Sequence, residues 1–172
     1  MLDINSTGIE DDNSFFNQRL HIKKKYTNCE ILLHHYFYRL CKIYPKNIII
    51  INNFVFFFIE NRHYFDVIDF LSLMRRQMLN KKLLIIRDEK TLLRLLYNFF
   101  PDPYVHDIRI YRNIYTGKKD IIVGFLSFVD RGIAIGCKGE YIKAVNLLFK
   151  KHVVFDNDDG FPLNIKCEVI KL

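Results

Sequence analysis

The chain has 172 residues, half of them apolar, with 16 Phe, 10 Tyr and no Trp. That is enough to bury one good core or two small modules. A formal net charge of +7 favours a polyanionic partner, nucleic acid or an anionic membrane surface, over an acidic-neutral balance with no such preference. Four cysteines (Cys29, Cys41, Cys137 and Cys167) form no C-x-x-C pair, and no Cys/His cluster has zinc spacing. Reduced thiols are therefore expected, with no disulfide framework and no metal cofactor. The richness in Ile, Asn and Lys is what A/T-rich codons encode, as in many organellar genomes.

Residues 1–26 read as a flexible tail. Asp3, Glu10, Asp11 and Asp12 make its start acidic, the opposite of a secretory signal or a mitochondrial presequence. A protein working in an organelle would then be made there, or its chain is already processed. The run Lys23-Lys24-Lys25 fits a solvated turn, with a phosphate contact as the alternative. At Thr27-x-x-Glu30 a capping box opens a helix carrying Ile31, Leu32, His35, Tyr38 and Cys41, and Pro45 stops it. His34 and His35 point about 100° apart on that helix, so they are expected to be structural and not to share a site.

A strand is expected over residues 47–59; its apolar run is too short to span a bilayer as a helix. A helix over 65–79 follows, with Phe65, Ile68, Leu71, Met74 and Met78 near one face and Arg75-Arg76 suiting the dipole at its end. A short strand over 83–86 completes a β-α-β block. Residues 27–87 thus form an N-terminal α/β extension with no glycine, hence no phosphate-cradling loop.

Asp88 is expected to cap a helix running to Phe100, with Leu92, Leu95, Leu96 and Phe99 buried and Pro101 and Pro103 ending it. Residues 105–114 alternate as a strand, Thr116-Gly117-Lys118-Lys119 is a turn, and 121–128 is a second strand. Arg131-Gly132-Ile133-Ala134-Ile135 leads into the loop Gly136-Cys137-Lys138-Gly139. An amphipathic helix over 140–151 turns Ile142, Val145, Leu148 and Phe149 inward; a turn at 157–160 precedes a last strand over 163–170.

The loop carries the chemistry. Two glycines let the backbone approach a phosphate, the next helix presents unpaired N–H groups and a positive dipole end, and Lys138 adds a mobile cation. Ile133, Ile135 and Ile142 are candidates for an apolar lining under bases, and Arg131 and Lys143 for phosphate contacts.

Residues 88–172, in the order α-β-β-α-α-β with G-x-x-G between the two later helices, resemble a type II KH domain. The resemblance rests on Gly132-Ile133-Ala134-Ile135-Gly136-Cys137-Lys138-Gly139-Glu140 and its place before a helix. It implies an α+β fold, a three-stranded sheet packed on helices, and a clamp for about four nucleotides of RNA. Where the family has a basic or small residue, Cys137 adds no charge.

Two KH families compete. The KH-bearing small-subunit ribosomal protein, number three in the usual naming, is similar at the loop and at Leu163-Asn164-Ile165-Lys166-Cys167-Glu168-Val169. That resemblance implies a ribosomal constituent binding rRNA among other ribosomal proteins, in the mitochondrial matrix or else the cytoplasm. The NusA transcription factor is similar at Asp130-Arg131-Gly132-Ile133-Ala134-Ile135-Gly136, and would make the 47–87 block a degenerate first KH unit, with Glu60-Asn61-Arg62-His63 where glycines belong. A third reading is a structural subunit with no RNA, using exposed aromatics at Phe54 to Phe58 as an interface. An enzyme is not expected, nor a small-molecule substrate or a membrane partner. Asp66 and Asp69 share a helical face with nothing nucleophilic beside them.

Overall fold

The structure, a computed structural model, describes residues 12–113, 115–157 and 162–171. The fold is α+β: helices packed on two mixed three-stranded sheets, with a two-stranded ribbon at one side. Residues 1–11, Ile114 and most of the turn expected at 157–160 lie outside the described residues.

Helix α2 (Asn28–Cys41) begins at the Thr27–Glu30 capping box and ends at Lys42, which takes a left-handed conformation. Strands β2 (Asn47–Ile51) and β3 (Phe54–Ile59) pair antiparallel, so the single strand expected over 47–59 is a hairpin. Its turn is Asn52-Asn53, where Asn52 has φ 53°, a region asparagine enters more readily than most residues. The helix expected over 65–79 is two: α3 (Tyr64–Ile68) and α4 (Leu71–Gln77). They break at Asp69-Phe70, where the Phe70 N–H reaches back only three residues to Val67. Strand β4 (Lys82–Arg87) then returns parallel to β3.

Strand β3 is apolar at every position because both its faces are covered. Val55, Phe57 and Ile59 join Phe37, Val67 and Met74 in one cluster under α2, α3 and α4. Phe54, Phe56 and Phe58 join Leu95, Phe99, Tyr141 and Phe149 in another. The aromatics expected as an exposed interface at Phe54 to Phe58 are therefore interior, none more than 5% exposed. Phe54, Phe56 and Phe58 face the second half, and Phe57 faces the opposite way, toward α2.

Helix α5 (Leu92–Asn98) is preceded by Thr91 as N-cap, not by Asp88, whose N–H donates to the Ile59 carbonyl. Burial pushes the Asp88 carboxyl above its usual range. Strands β5 (Asp107–Arg112) and β6 (Lys119–Phe125) pair antiparallel around a turn in which Gly117 has φ 65°. Lys119, expected in that turn, is buried at the start of β6 with its ammonium over the Phe15 ring. The strand expected to reach residue 128 stops at Phe125, because Ser127 caps helix α6 (Phe128–Ile135) by accepting from the Asp130 N–H. A short 3-10 turn (Cys137–Gly139) leads to α7 (Glu140–His152), then β7 (Val153–Phe155) and β8 (Leu163–Val169), parallel to β6.

The segment 12–26, expected as a tail, is built into the fold. Helix α1 (Asp12–Phe16) and strand β1 (Leu20–Ile22) bury Phe15, Phe16, Leu20 and Ile22, and β1 pairs antiparallel with β7. These pairings are invisible to local patterning, since each strand is only three residues long.

The two sheets repeat one plan. In each, a helix precedes an antiparallel strand pair, two helices follow, and a third strand returns parallel to the second: α2-β2-β3-α3-α4-β4, then α5-β5-β6-α6-α7-β8. The β-α-β block read from the sequence lacked the hairpin that completes this repeat. The halves meet through rings, with Phe99 5.7 Å from Phe56 and 5.4 Å from Phe149. The buried Tyr141 hydroxyl donates to the Phe99 carbonyl, and burial pushes that phenol well above its ordinary range.

Candidate nucleic-acid interface

Helix α6 ends because Gly136 leaves helical space, with φ 78° and ψ 175°. That corner is essentially reserved for glycine. A Cβ at Gly136 would also lie 2.7 Å from the Tyr141 Cβ. Lys138 (φ 51°) and Gly139 (φ 71°) are left-handed, and the Gly139 N–H closes the turn on the Gly136 carbonyl at 3.1 Å. Helix α7 starts there with no side-chain cap, so its positive end faces the turn without a protein anion in hydrogen-bonded capping position.

Cys137 and Lys138 are exposed at the tip. Lys143 belongs to the same spot: a Cβ on Gly139 would lie 4.0 Å from Lys143 Cε and 3.6 Å from Ile135 Cγ2. Arg131 is held elsewhere, donating from Nε to the Cys167 carbonyl of β8 at 3.0 Å. Of the three isoleucines, Ile133 is 49% exposed, whereas Ile135 and Ile142 are half-buried against the core. The structure thus gathers Gly136, Cys137, Lys138, Gly139 and Lys143 at one point, with Ile133 nearby on α6.

Sequence reading missed the rest of that surface. Leu126, Phe128 and Val129 are 43%, 79% and 73% exposed, at or near the start of α6. The signal for a helix here was Ser127-x-x-Asp130, a capping pattern hidden by the β-prone residues around it. Beside Ile133 a pocket of about 380 Å³ opens between the two halves, lined by Phe54, Leu83, Phe100, Tyr141 and the cations Lys81 and Lys82. Lys82 bridges the halves by an ion pair with Glu140 at 3.0 Å, and its ammonium holds the Glu140 carboxyl below the usual range.

In the first half the junction between the two helices is Asp69-Phe70, not the Glu60-to-His63 stretch expected to stand in place of glycines. Asp69 and Phe70 have ordinary helical angles. An acidic side chain without a glycine turn is no anion cradle. On α2, His34 and His35 both line one hollow together with Lys24, Tyr26, Tyr44 and Lys46, although their adjacency argued against a shared site. The described residues hold no helix long and apolar enough to cross a membrane and no group of three or more His, Cys, Asp or Glu placed to hold a metal.

Two expected results follow from this geometry. Gly136→Ala should cost about 1–3 kcal/mol of stability in urea unfolding, because both its backbone angles and Tyr141 oppose a Cβ. Gly139→Ala should cost less, about 1–2 kcal/mol, since nothing lies closer than 3.6 Å. A reversed order would overturn this account of the turn. Second, iodoacetamide at neutral pH should label exposed Cys29 and Cys137 and spare Cys41 and Cys167, whose thiols burial pushes up to about 11 and about 12. Peptide mass spectrometry of the native protein reads this directly; equal labelling of Cys167 would contradict it.

No known family model matches the chain, and no curated protein does. Among solved structures, the crystal structure of APE1850 is similar with a TM-score of 0.58 over 83% of this chain and 100% of that one. At 21% identity the likeness concerns the fold alone.

Proposed function

We propose that the chain binds RNA through its C-terminal half, a type II KH unit whose Gly136-Cys137-Lys138-Gly139 turn clamps the sugar-phosphate backbone. The observation that carries this reading is the turn itself: two positive-φ glycines around exposed Lys138, at the uncapped start of a thirteen-residue helix. Backbone N–H groups and a helix dipole suit a phosphate, and Lys143 stands close enough to add charge. Bases leaving the clamp would lie along the exposed apolar residues of α6, Val129 and Ile133. The repeated plan supports reading the first half as a second KH-like unit, without a clamp of its own.

That repeat favours the NusA-like reading, in which a tandem pair acts on nascent RNA in transcription termination or antitermination. It accounts for residues 28–87 as well as 92–169 by one plan. The ribosomal reading, with rRNA and neighbouring ribosomal proteins as partners in a mitochondrial small subunit, explains the loop and the last strand but gives no role to the first half.

Sedimentation of the native protein through a sucrose gradient, with and without ribonuclease, tests both. Ribonuclease-sensitive migration with RNA polymerase is the expected result. Stoichiometric migration with a small ribosomal subunit would replace it by the ribosomal reading. Slow sedimentation unaffected by ribonuclease would overturn RNA binding. Salt gives an independent check: the logarithm of affinity should fall by about 0.7 per contacted phosphate for each logarithmic unit of salt, whereas an apolar protein interface would barely respond.

A further inference from the structure

The run Lys23-Lys24-Lys25 and the pair His34-His35 stand far apart in function when read along the chain. In the fold they converge. Lys24, Tyr26, His34, His35, Tyr44 and Lys46 line one hollow of about 450 Å³ on the first half. Tyr26 and Tyr44 are 60% and 56% exposed, so their ring faces are available. Tyr44 stacks on Tyr38 with centroids 4.3 Å apart, and Tyr26 lies 6.1 Å from the His34 ring.

Lys23, Lys24 and Lys25 are exposed, and the backbone at the start of this run is anchored. Asn47, only 4% exposed, donates its amide to the carbonyls of Ile22 and Lys23, at 3.4 Å and 3.2 Å. The Lys23 N–H donates to the His152 carbonyl at 2.7 Å. At the other end the Thr27–Glu30 capping box fixes the chain.

The local anions are already engaged. Glu30 is buried in the capping box, and Glu60 pairs with Lys46 at 3.0 Å and with Arg62 at 2.7 Å. His34 Nε2 is buried with no hydrogen-bond partner among the described residues. The hollow therefore combines aromatic surface with the exposed cation Lys24. A nucleotide offers the complement: a π-face and a phosphate.

We propose that this hollow is a second RNA site, which holds one nucleotide of the strand whose backbone sits in the Gly136-to-Gly139 clamp. It rests on the RNA-binding reading above. Tyr26 and Tyr44 stack the base, and Lys24 takes its phosphate. The site adjoins the His152 end of α7 while the clamp is at the Glu140 end. Thirteen helical residues separate them by about 20 Å, so only a strand longer than the clamp's own footprint reaches both.

Photo-crosslinking of the full chain to a long 4-thiouridine-containing oligoribonucleotide, with the linked peptides mapped by mass spectrometry, tests this. Links to both the peptide around Tyr26 to Tyr44 and the peptide around Gly136 to Lys143 are expected. Links at the loop alone would overturn the second site and leave the clamp standing. Links around Tyr26 and Tyr44 alone would support the second site and overturn the clamp. No link at either would overturn both. The variant Tyr26→Ala/Tyr44→Ala, at exposed positions, should weaken the long strand about tenfold and leave a strand of about four nucleotides unaffected. Equal weakening of both strands, or of neither, would count against the proposal; an unchanged thermal melt shows that the variant is folded.

Discussion

Cys137→Asp/Lys138→Asp is expected to lower RNA affinity about a hundredfold or more, by removing the charge-assisted contact of Lys138, worth about 1.5–3 kcal/mol, and setting two carboxylates where a phosphate should sit. Stability should change little, within about 0.5 kcal/mol, because both side chains are exposed. Aspartate also suits position 138, whose φ of 51° is a conformation that acidic and amide residues enter more readily than most. Fluorescence anisotropy with a labelled oligoribonucleotide measures the first effect and thermal unfolding the second. A folded double variant with unchanged affinity would sink the clamp.

The second large effect is at Phe99. Its side chain is fully buried and packs on Phe56, Phe58 and Phe149, joining the two sheets. Phe99→Ala should cost about 3–5 kcal/mol, and the loss should appear equally in both halves. The same cluster holds residues of α5, α6 and α7 and of β3, β4, β6 and β8, so the halves are expected to unfold together in one urea transition. Two probes, one in each half, would follow it. A two-step transition in which only residues 88–171 respond would refute the shared core.

How much of this was legible depended on range. The capping box at Thr27, the helix over 140–151 and the alternation of the last strand are local signals, and the elements formed within a residue or two. The turn at Gly136 to Gly139 was legible for the same reason, because glycines before a helix have a local meaning. What failed was longer-range or masked. Asn52-Asn53 hid inside an apolar run that seemed continuous because the strand is buried on both faces. Phe128-Val129 drew the strand past Ser127, and only the cap reverses that reading. Phe15, Phe16 and Leu20 lay in a segment whose acidic start suggested a tail; their burial depends on partners at the far end of the chain. The tie between Arg131 and the Cys167 carbonyl joins residues 36 positions apart and has no local signal.

The β1–β7 ribbon has a consequence for synthesis. His21 and Asp156, bonded side chain to side chain beside it, are 135 positions apart. At about 5–20 residues per second, β1 is made roughly 7–27 seconds before its partner strand exists. Through that interval Leu20 and Ile22 have no β7 to pair with, and the apolar faces of Phe54, Phe56 and Phe58 wait for α5 and α7. The nascent first half is thus an open half-shell that α5, α7 and β7 must close, and its exposure during elongation is set by the pace of translation.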